Sequence, residues 1–134
     1  MIEAGKNFFC GKREAYSHLW VLGEKAMEKV KKIEFKKIAD PRGNLTYLQH
    51  GDLIPFSIKR VFWTYDVPGG FQRGGHAYRE QEEVIVALSG SFDVVVHDGT
   101  TATRFSLNRS YFGLYLPPLT WRQMENFSTN ALSL

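Results

Sequence analysis

The sequence predicts an all-β fold, an antiparallel sandwich or barrel preceded by an N-terminal extension with helical spacing. Aromatic residues make up 14% of the 134 residues, and they cluster with β-branched residues, which favours strands. From residue 31 onward, short apolar segments alternate with turn signals rich in Gly, Pro, Asn and Asp. No helical apolar period separates these segments, and this combination is typical of a β-sandwich or β-barrel.

The first 30 residues differ from the rest of the chain. Leu19, Leu22 and Val30 follow helical spacing, so an amphipathic helix is expected there. The alternative is that the sequence starts upstream of the natural beginning, because MEKVKKIEF from Met27 would itself be a natural start. The remaining residues, 31–134, are long enough to bury the core of one domain.

The sequence of residues 31–134 predicts a series of strands separated by turns, without an evident internal repeat. In chain order the segments are KKIEFKKIAD, the turn DPRGN, LTYLQH, SIKRVFWTYDV, the glycine-dense loop PGGFQRGG, three strands in EEVIVALSGSFDVVVHDGTTATRFSL with turns at Ser89-Gly90 and Asp98-Gly99, YFGLYL, the break at Pro117-Pro118, TWRQMENFS, and a last short strand in ALSL.

Composition narrows the function classes. The net charge of +3 is too small to predict nucleic-acid binding, although it suits a small anionic ligand. A single cysteine, Cys10, excludes an intrachain disulfide and suits a reducing compartment. No segment reaches the roughly 20 apolar residues of a membrane span, and Lys12, Arg13 and Glu14 interrupt any signal-peptide pattern. We therefore expect a cytoplasmic protein that binds neither membrane nor nucleic acid.

The stretch GGFQRGGHAYREQEEVIVALSG carries a spaced set of glycines and polar residues. Five residues separate Gly70 from His76, one separates His76 from Tyr78, four precede Glu83, and six precede Gly90. This spacing resembles the first motif of the cupin superfamily, which has two histidines and a glutamate on a jelly-roll barrel. Tyr78 stands where that motif has its second histidine.

The later stretch PPLTWRQMEN resembles the second cupin motif. Pro117 and Asn126 occupy its outer positions, whereas Leu119 replaces the usual glycine and Arg122 replaces the usual histidine.

The four positions that match the cupin metal cage are His76, Tyr78, Glu83 and Arg122. Arginine has no lone pair to give a metal, and a neutral tyrosine beside a cation is a poor ligand. One imidazole and one carboxylate are too few for a stable first coordination shell. The sequence therefore predicts a site without metal and without any other cofactor.

Four segments, taken in order, resemble a particular cupin group: FKKIADPRGNLTYLQ, IPFSIKRVFWTYDV, RGGHAYREQEEVIVALSGSFDVVVHDG and LNRSYFGLYLPPLTWRQMENFS. They are similar to the WxcM-like sugar-nucleotide 3,4-ketoisomerases, and the resemblance covers about residues 31–134. It implies a metal-free jelly roll, a homodimer, and dTDP-4-oxo-6-deoxyglucose as substrate. The implied product is a 3-oxo sugar nucleotide on the way to an aminated sugar of a surface polysaccharide.

The chain departs from this family pattern in two respects. Tyr78 and Arg122 stand where the family has histidines, which leaves open whether activity is kept. Family members also continue past the ALSL strand, so a missing C-terminal end of the barrel is expected, with an unpaired edge.

Moving a carbonyl from C4 to C3 requires a base for the C3 proton and a donor for the developing oxyanion. His76 has an unperturbed pKa that suits a base. Tyr78 lies two residues further on, which puts it on the same face of a strand, where its phenol can donate to the oxyanion or relay a proton. Glu83 is expected either to orient the imidazole or to lie on the outer face.

A diphosphate ligand needs cations, and guanidinium groups bind phosphate oxygens in pairs. The resemblance places arginines at Arg42, Arg60 and Arg73, with Arg79 and Arg122 as weaker candidates. Stacking surfaces for the base and deoxyribose are available at Trp63, Tyr65, Tyr115 and Trp121, of which Tyr65 and Trp121 are predicted to bind substrate.

Three other functions compete with the ketoisomerase. A dTDP-sugar 3,5-epimerase also removes a proton beside a ketone, and only its product differs. A non-catalytic sugar-nucleotide-binding module is favoured by Tyr78 and Arg122. A metal-dependent cupin oxygenase is disfavoured by the count of ligands.

Overall fold

The computed structural model describes residues 28–97, 99 and 101–134. The helix expected within the first 30 residues therefore falls, up to residue 27, outside the described residues. The part of the chain that is described contains strands and turns but no α-helix, and hence no helix long and apolar enough to cross a membrane.

The described residues form ten strands, all paired antiparallel, and the predicted all-β class is confirmed. Their bounds are β1 Lys31–Glu34, β2 Lys37–Ile38, β3 Leu45–Thr46, β4 Arg73–His76, β5 Glu83–Ser89, β6 Phe92–His97, β7 Ala102–Leu107, β8 Phe112–Leu116, β9 Trp121–Glu125 and β10 Leu132–Ser133.

Two four-stranded sheets make up the jelly-roll sandwich, and a separate hairpin joins β2 to β3. The first sheet has the order β1-β8-β5-β10, and the second has the order β4-β9-β6-β7. Chain neighbours such as β4 and β5 therefore lie in different sheets. This arrangement brings distant segments of the sequence to the same end of the interior.

Strict alternation along β6 shows which face of each sheet points inward. Phe92, Val94 and Val96 are fully buried, while Asp93 and Val95 between them are only half-buried. The inward side chains of both sheets form the main core, together with Ile85, Ala87, Leu107, Leu114, Leu116, Met124, Phe127 and Ala131. Apolar side chains that face inward leave water, which stabilises the sandwich.

A second apolar cluster covers the outer face of the first sheet. Val86 and Tyr115 point outward from β5 and β8, and Ile33, Phe35 and Ile54 pack over them. Because both faces of β5 are covered, its central residues form a continuous buried run rather than an alternating one.

Two predictions of local structure differ from the fold. Residues 73–75 were expected to belong to a glycine-dense loop, but Arg73–His76 form β4, because the neighbouring strand β9 supplies hydrogen-bonding partners. Residues 57–67 were expected to form a strand, yet only Thr64 pairs, in an isolated bridge with Ser133. Strand propensity alone does not make a ladder where no neighbouring strand runs alongside.

Candidate active site

His76 ends β4 and lies directly opposite Arg122 of β9 in the register of the second sheet. Arg122 shares the inward face of β9 with Met124, and its side chain is only 3% exposed. A charged guanidinium is almost never buried unless it is paired. The residues that pair with the buried Arg122 side chain therefore form the candidate site.

Glu83 pairs with Arg122 from the opposite sheet. It begins β5 and shares the inward face of that strand with Ile85 and Ala87. The Arg122 Nε donates to one Glu83 oxygen at 3.0 Å, and Nη2 donates to the other at 2.8 Å. This is the two-point geometry in which arginine and carboxylate fit best. Glu83 thus lies inside the sandwich and orients Arg122, rather than orienting His76 directly.

The third nitrogen of the guanidinium contacts β4. Nη1 of Arg122 donates to the carbonyl oxygen of Gly74 and lies 3.2 Å from Nδ1 of His76. Gly74 has φ = +73°, and a Cβ there would lie 2.7 Å from Nη1. Only glycine therefore suits this position, both for its backbone conformation and for its contact with Arg122.

Tyr78 contacts both His76 and Arg122 through its ring. Its ring meets the His76 ring edge-on with centroids 4.7 Å apart, and the Arg122 Cζ lies 5.5 Å from the Tyr78 ring centroid. The Tyr78 carbonyl accepts a hydrogen bond from the Leu119 amide at 2.7 Å, and Leu119 adopts φ = +67°. Leu119, which replaces the usual glycine of the motif, thus adopts a left-handed backbone conformation that glycine adopts more readily.

The electrostatics of the site favour a neutral His76. Burial lowers the pKa of the imidazole, the Arg122 charge lowers it further, and Glu83 acts in the opposite direction. The Nε2 atom of His76 is buried and has no hydrogen-bonding partner among the described residues. Buried polar atoms are nearly always paired in proteins, so this nitrogen is a place where a ligand group would be bound.

These residues do not fit the metal ion that cupin barrels commonly hold. Both Glu83 oxygens and Nδ1 of His76 already contact the Arg122 guanidinium, whose charge repels a cation. Within the described residues, no group of three or more His, Cys, Asp or Glu side chains is placed to hold a metal.

A cavity of about 570 Å³ opens beside this group. Tyr78 and Glu83 line it together with Arg60, and its apolar wall includes Ile85 and Met124. A cavity of this size, mostly apolar with a few polar groups, is typical of small-molecule sites.

The other predicted arginines lie on the surface. Arg42 is in the turn between β2 and β3, where it pairs with Asp40 at 2.8 Å and its side chain is 90% exposed. Arg73 is exposed at the start of β4, and Arg79 is exposed just after Tyr78. Of the predicted phosphate-binding arginines, Arg60 lines the cavity, whereas Arg122 is buried behind it and pairs with Glu83, which does line it.

The predicted aromatic residues do not gather at one place. Tyr65 is exposed and, with Trp63, lines a separate groove. Trp121 is on the face of β9 opposite to Arg122, and its ring meets His97 edge-on at 6.3 Å. Tyr115 is buried, and its hydroxyl donates to Glu82; burial and this bond raise the pKa of Tyr115 to about 12. Tyr65 and Trp121 stay predictions as substrate-binding residues.

Gly74 and the pairing of Glu83 with Arg122 were not found from the sequence. The glycine pair Gly74-Gly75 before His76 was a usable signal, since adjacent glycines in a strand often mark the close approach of another group. The pairing had no such signal, because Glu83 and Arg122 are 39 positions apart and lie in different sheets.

Comparisons with known proteins show which family the chain resembles. Residues 28–134 match the family model described as FdtA: WxcM-like, C-terminal. The chain is 40% identical over 104 residues to a TDP-4-oxo-6-deoxy-α-D-glucose-3,4-oxoisomerase of Aneurinibacillus thermoaerophilus, covering 78% of this chain and 75% of that one.

Several solved structures that share the fold and more than 30% of the sequence are sugar 3,4-ketoisomerases. QdtA, a sugar 3,4-ketoisomerase of Thermoanaerobacterium thermosaccharolyticum in complex with TDP, superposes with a TM-score of 0.76 at 35% identity, over 78% of this chain and 76% of that chain. A point mutant of QdtA was solved with TDP-4-keto-6-deoxyglucose. WlaRB, a TDP-quinovose 3,4-ketoisomerase of Campylobacter jejuni, gives 0.75 at 38% identity, over 79% and 82%.

Proposed function

The chain belongs to the WxcM-like family of cupin-fold proteins. From this family and from the geometry of the candidate site, we infer the function. The protein is a sugar-nucleotide 3,4-ketoisomerase that acts on a TDP-linked 4-oxo-6-deoxyhexose. It moves the carbonyl from C4 to C3 by proton transfer through an enediol. The relatives that share more than 30% identity carry this activity in their names, which favours it over the epimerase.

One observation of the chain itself supports this proposal. The unpartnered Nε2 of His76 is buried beside the Tyr78 ring, and Tyr78 lines the cavity. An enediol intermediate needs polar groups that are already in place at the two reacting carbons, in a site from which water is excluded. We propose His76 and Tyr78 as these groups, with Arg60 at the cavity wall as a cation for the diphosphate.

The proposal is tested by incubating the protein with TDP-4-oxo-6-deoxyglucose in deuterated water and following the proton NMR spectrum. We expect a 3-oxo-6-deoxy sugar nucleotide to form, with and without a chelator. Inversion at C3 and C5 with deuterium incorporation would instead establish an epimerase. Binding without conversion would leave a sugar-nucleotide-binding module, and both results would overturn the proposal.

The role of Tyr78 is tested by removing only its hydroxyl. Tyr78→Phe keeps the ring against His76 and the Arg122 guanidinium, so packing is preserved. Loss of a group that transfers a proton or stabilises an oxyanion should lower kcat by about 100-fold or more. Tyr47→Phe, at an exposed position, is the matched control. An unchanged kcat in Tyr78→Phe would remove the hydroxyl from the reaction.

A homodimer is proposed through residues 58–65, the segment that includes Arg60 and that lines one wall of the cavity with residues 58–62. Five large apolar side chains are exposed within residues 58–65, namely Ile58, Val61, Phe62, Trp63 and Tyr65. Because this segment has almost no strand pairing, its backbone groups and side chains are both available to a second copy. Phe62→Glu should yield monomers in sedimentation, whereas Phe71→Glu, at an exposed position outside this segment, should not. A dimer that persists in Phe62→Glu would contradict this surface.

A further inference from the structure

Among the described residues, two buried side-chain polar atoms lack a hydrogen-bonding partner, and both lie at the same end of the sandwich. One is Nε2 of His76, and the other is the hydroxyl oxygen of Thr120. Buried polar atoms without a partner are rare in proteins, so two that arise independently should rarely be neighbours. Their common location indicates one shared cause.

The backbone fixes Thr120 next to Tyr78. Thr120 directly precedes β9, and the amide of the residue before it, Leu119, donates to the Tyr78 carbonyl at 2.7 Å. His76 lies opposite Arg122 in the register of β4 and β9. Thr120 is two residues before Arg122, and diagonal neighbours of this kind lie about 7–8 Å apart. Thr120 and His76 are therefore neighbours across the two strands, with Tyr78 beside both.

The side chain of Thr120 points into the sandwich. Thr120 is 4% exposed and precedes the half-buried Trp121, and the same alternation continues through β9, where Arg122 and Met124 are buried. Since successive side chains of a strand point to opposite faces, Thr120 shares the inner face with Arg122 and Met124. The cavity reaches this end of the sandwich, because Tyr78 and Met124 both line it.

The Thr120 hydroxyl can donate one hydrogen bond and accept two. Burying it without a partner costs free energy that valine, which has the same shape, would not cost. Neither this oxygen nor Nε2 of His76 is in contact with solvent, so a ligand that enters the cavity is the partner available to both. Because Tyr78 lines the cavity and contacts the His76 ring, the ligand reaches the two atoms when the Tyr78 side chain rotates, and such rotations are common on binding.

The surroundings of the two atoms suit the hexose of a sugar nucleotide better than its diphosphate. The guanidinium at this end, that of Arg122, already pairs with both oxygens of Glu83, so a phosphate would have to compete with Glu83 for it. Arg60 lines the cavity wall and is placed for the phosphates instead. A hexose is uncharged, and its hydroxyl and carbonyl oxygens can each pair with a hydroxyl donor.

We propose that Thr120 is a substrate-binding residue whose hydroxyl forms a hydrogen bond with an oxygen of the hexose, beside His76. The inference rests on the proposed ketoisomerase function, and it adds a residue that was not a candidate from the sequence. The hydroxyl holds the sugar ring against His76 and Tyr78, and its missing hydrogen bond is made when the substrate binds. A site whose buried polar groups find partners only on the substrate discriminates strongly against ligands that lack the matching oxygen.

Two substitutions separate the hydroxyl of Thr120 from its methyl group. Thr120→Val removes the hydroxyl and keeps the shape, and we expect kcat/KM for TDP-4-oxo-6-deoxyglucose to fall about 10-fold or more. Thr120→Ser keeps the hydroxyl, and we expect kcat/KM to stay within about 3-fold of wild type. Thr103→Val, at an exposed position of β7, is the matched control and should change nothing. The opposite order, with serine less active than valine, would show that Thr120 only fills space and would overturn the proposal.

Thermal unfolding of the ligand-free protein gives a second readout, in a direction that a purely structural threonine would not produce. Because valine removes a buried hydroxyl that has no partner, Thr120→Val should raise the Tm by about 4 °C or more. A Tm that is unchanged or lower, or a variant that does not fold, would mean that the hydroxyl has a partner before substrate binds. Either result would overturn the proposal.

Calorimetric binding of two nucleotides separates this inference from the proposed function. TDP lacks the hexose, whereas TDP-glucose carries one that has no carbonyl at C4 and so cannot react. We expect Thr120→Val to lower the affinity for TDP-glucose about 10-fold and to leave the affinity for TDP unchanged. Equal effects on the two nucleotides would overturn the role of Thr120. Wild-type protein that binds both nucleotides but does not convert TDP-4-oxo-6-deoxyglucose would contradict the ketoisomerase function, and the contrast between TDP and TDP-glucose would still decide the role of Thr120.

Discussion

Two arginine–carboxylate clusters lie on opposite faces of the β4-β9-β6-β7 sheet, and they differ chiefly in their access to water. The inner cluster joins Arg122 to Glu83, with side chains 3% and 13% exposed. The outer cluster joins Arg104 to Asp93 and Glu125, and the Arg104 side chain is 52% exposed. Arginine–carboxylate pairs thus occupy very different surroundings on the two faces of one sheet.

The difference follows from what surrounds each guanidinium. On the outer face, water solvates Arg104, and its ion pairs replace hydration that is nearly as favourable. On the inner face, Arg122 has given up its hydration, so each nitrogen must find a protein partner. This requirement fixes the orientation of the Arg122 guanidinium beside His76.

The largest predicted effect comes from breaking the inner pair. Arg122→Gln leaves the Glu83 carboxylate buried without its partner, and we expect unfolding in urea to show a loss of about 3–5 kcal/mol. Glu83→Gln leaves the opposite charge unpaired and should give a loss of similar size. A loss below about 1 kcal/mol in both variants would mean that water reaches the pair, and the contrast with the outer face would disappear.

Gly74 offers a second way to disturb the inner cluster. An alanine there would adopt φ = +73° and place its Cβ 2.7 Å from Nη1 of Arg122, and we expect a loss of about 1–3 kcal/mol. Gly70→Ala separates the two causes, because Gly70 has φ = +83° but nothing lies within 4 Å of its Cβ position. Equal losses in the two variants, measured by urea unfolding, would show that contact with Arg122 adds nothing.

The strands of this fold were largely predictable because their signals are local. Phe92, Val94 and Val96 alternate with half-buried residues along β6, and the Pro117-Pro118 break separates β8 from β9. β4 was missed because Gly74 and Gly75 disfavour strands, and only pairing with β9 makes them one. For residues 57–67 the prediction was wrong for the opposite reason. Their strand propensity is strong, but only Thr64 pairs with another residue of the sheets.

Some features of the candidate site could likewise be predicted from local sequence, whereas others depend on the fold. The spacing of His76 and Tyr78 on one segment could be read from the sequence, because nearby residues fix each other's positions. The link from Glu83 through Arg122 to His76 depends on three strands from two sheets. Only the fold determines such a link, which pairs Arg122, a residue that replaces a motif histidine and was a candidate for phosphate binding, with Glu83 and His76.

The pH dependence of the free energy of unfolding tests the inner cluster without removing its ion pair. Burial and Arg122 lower the pKa of folded His76, while in the unfolded chain it should titrate at about 6.5. As the pH falls below this value, the unfolded state binds the proton first, so stability declines until the pH passes the lowered pKa of the folded state. His76→Gln should flatten this decline relative to wild type. Parallel stability curves for wild type and His76→Gln would contradict the lowered pKa.

The smallest predicted effect belongs to the outer cluster. Arg104→Gln removes ion pairs at 2.9 Å to Asp93 and 2.7 Å to Glu125, yet we expect a loss of less than about 1 kcal/mol, because the guanidinium is half exposed. Asp93 also keeps hydrogen bonds from Ser106 and Asn126, which limit the loss further. Urea unfolding at low and high salt measures the effect, which should shrink as salt screens the charges. A loss as large as that of Arg122→Gln would show that the ion pairs matter equally on both faces, and burial would then not explain why only the inner arginine is part of the site.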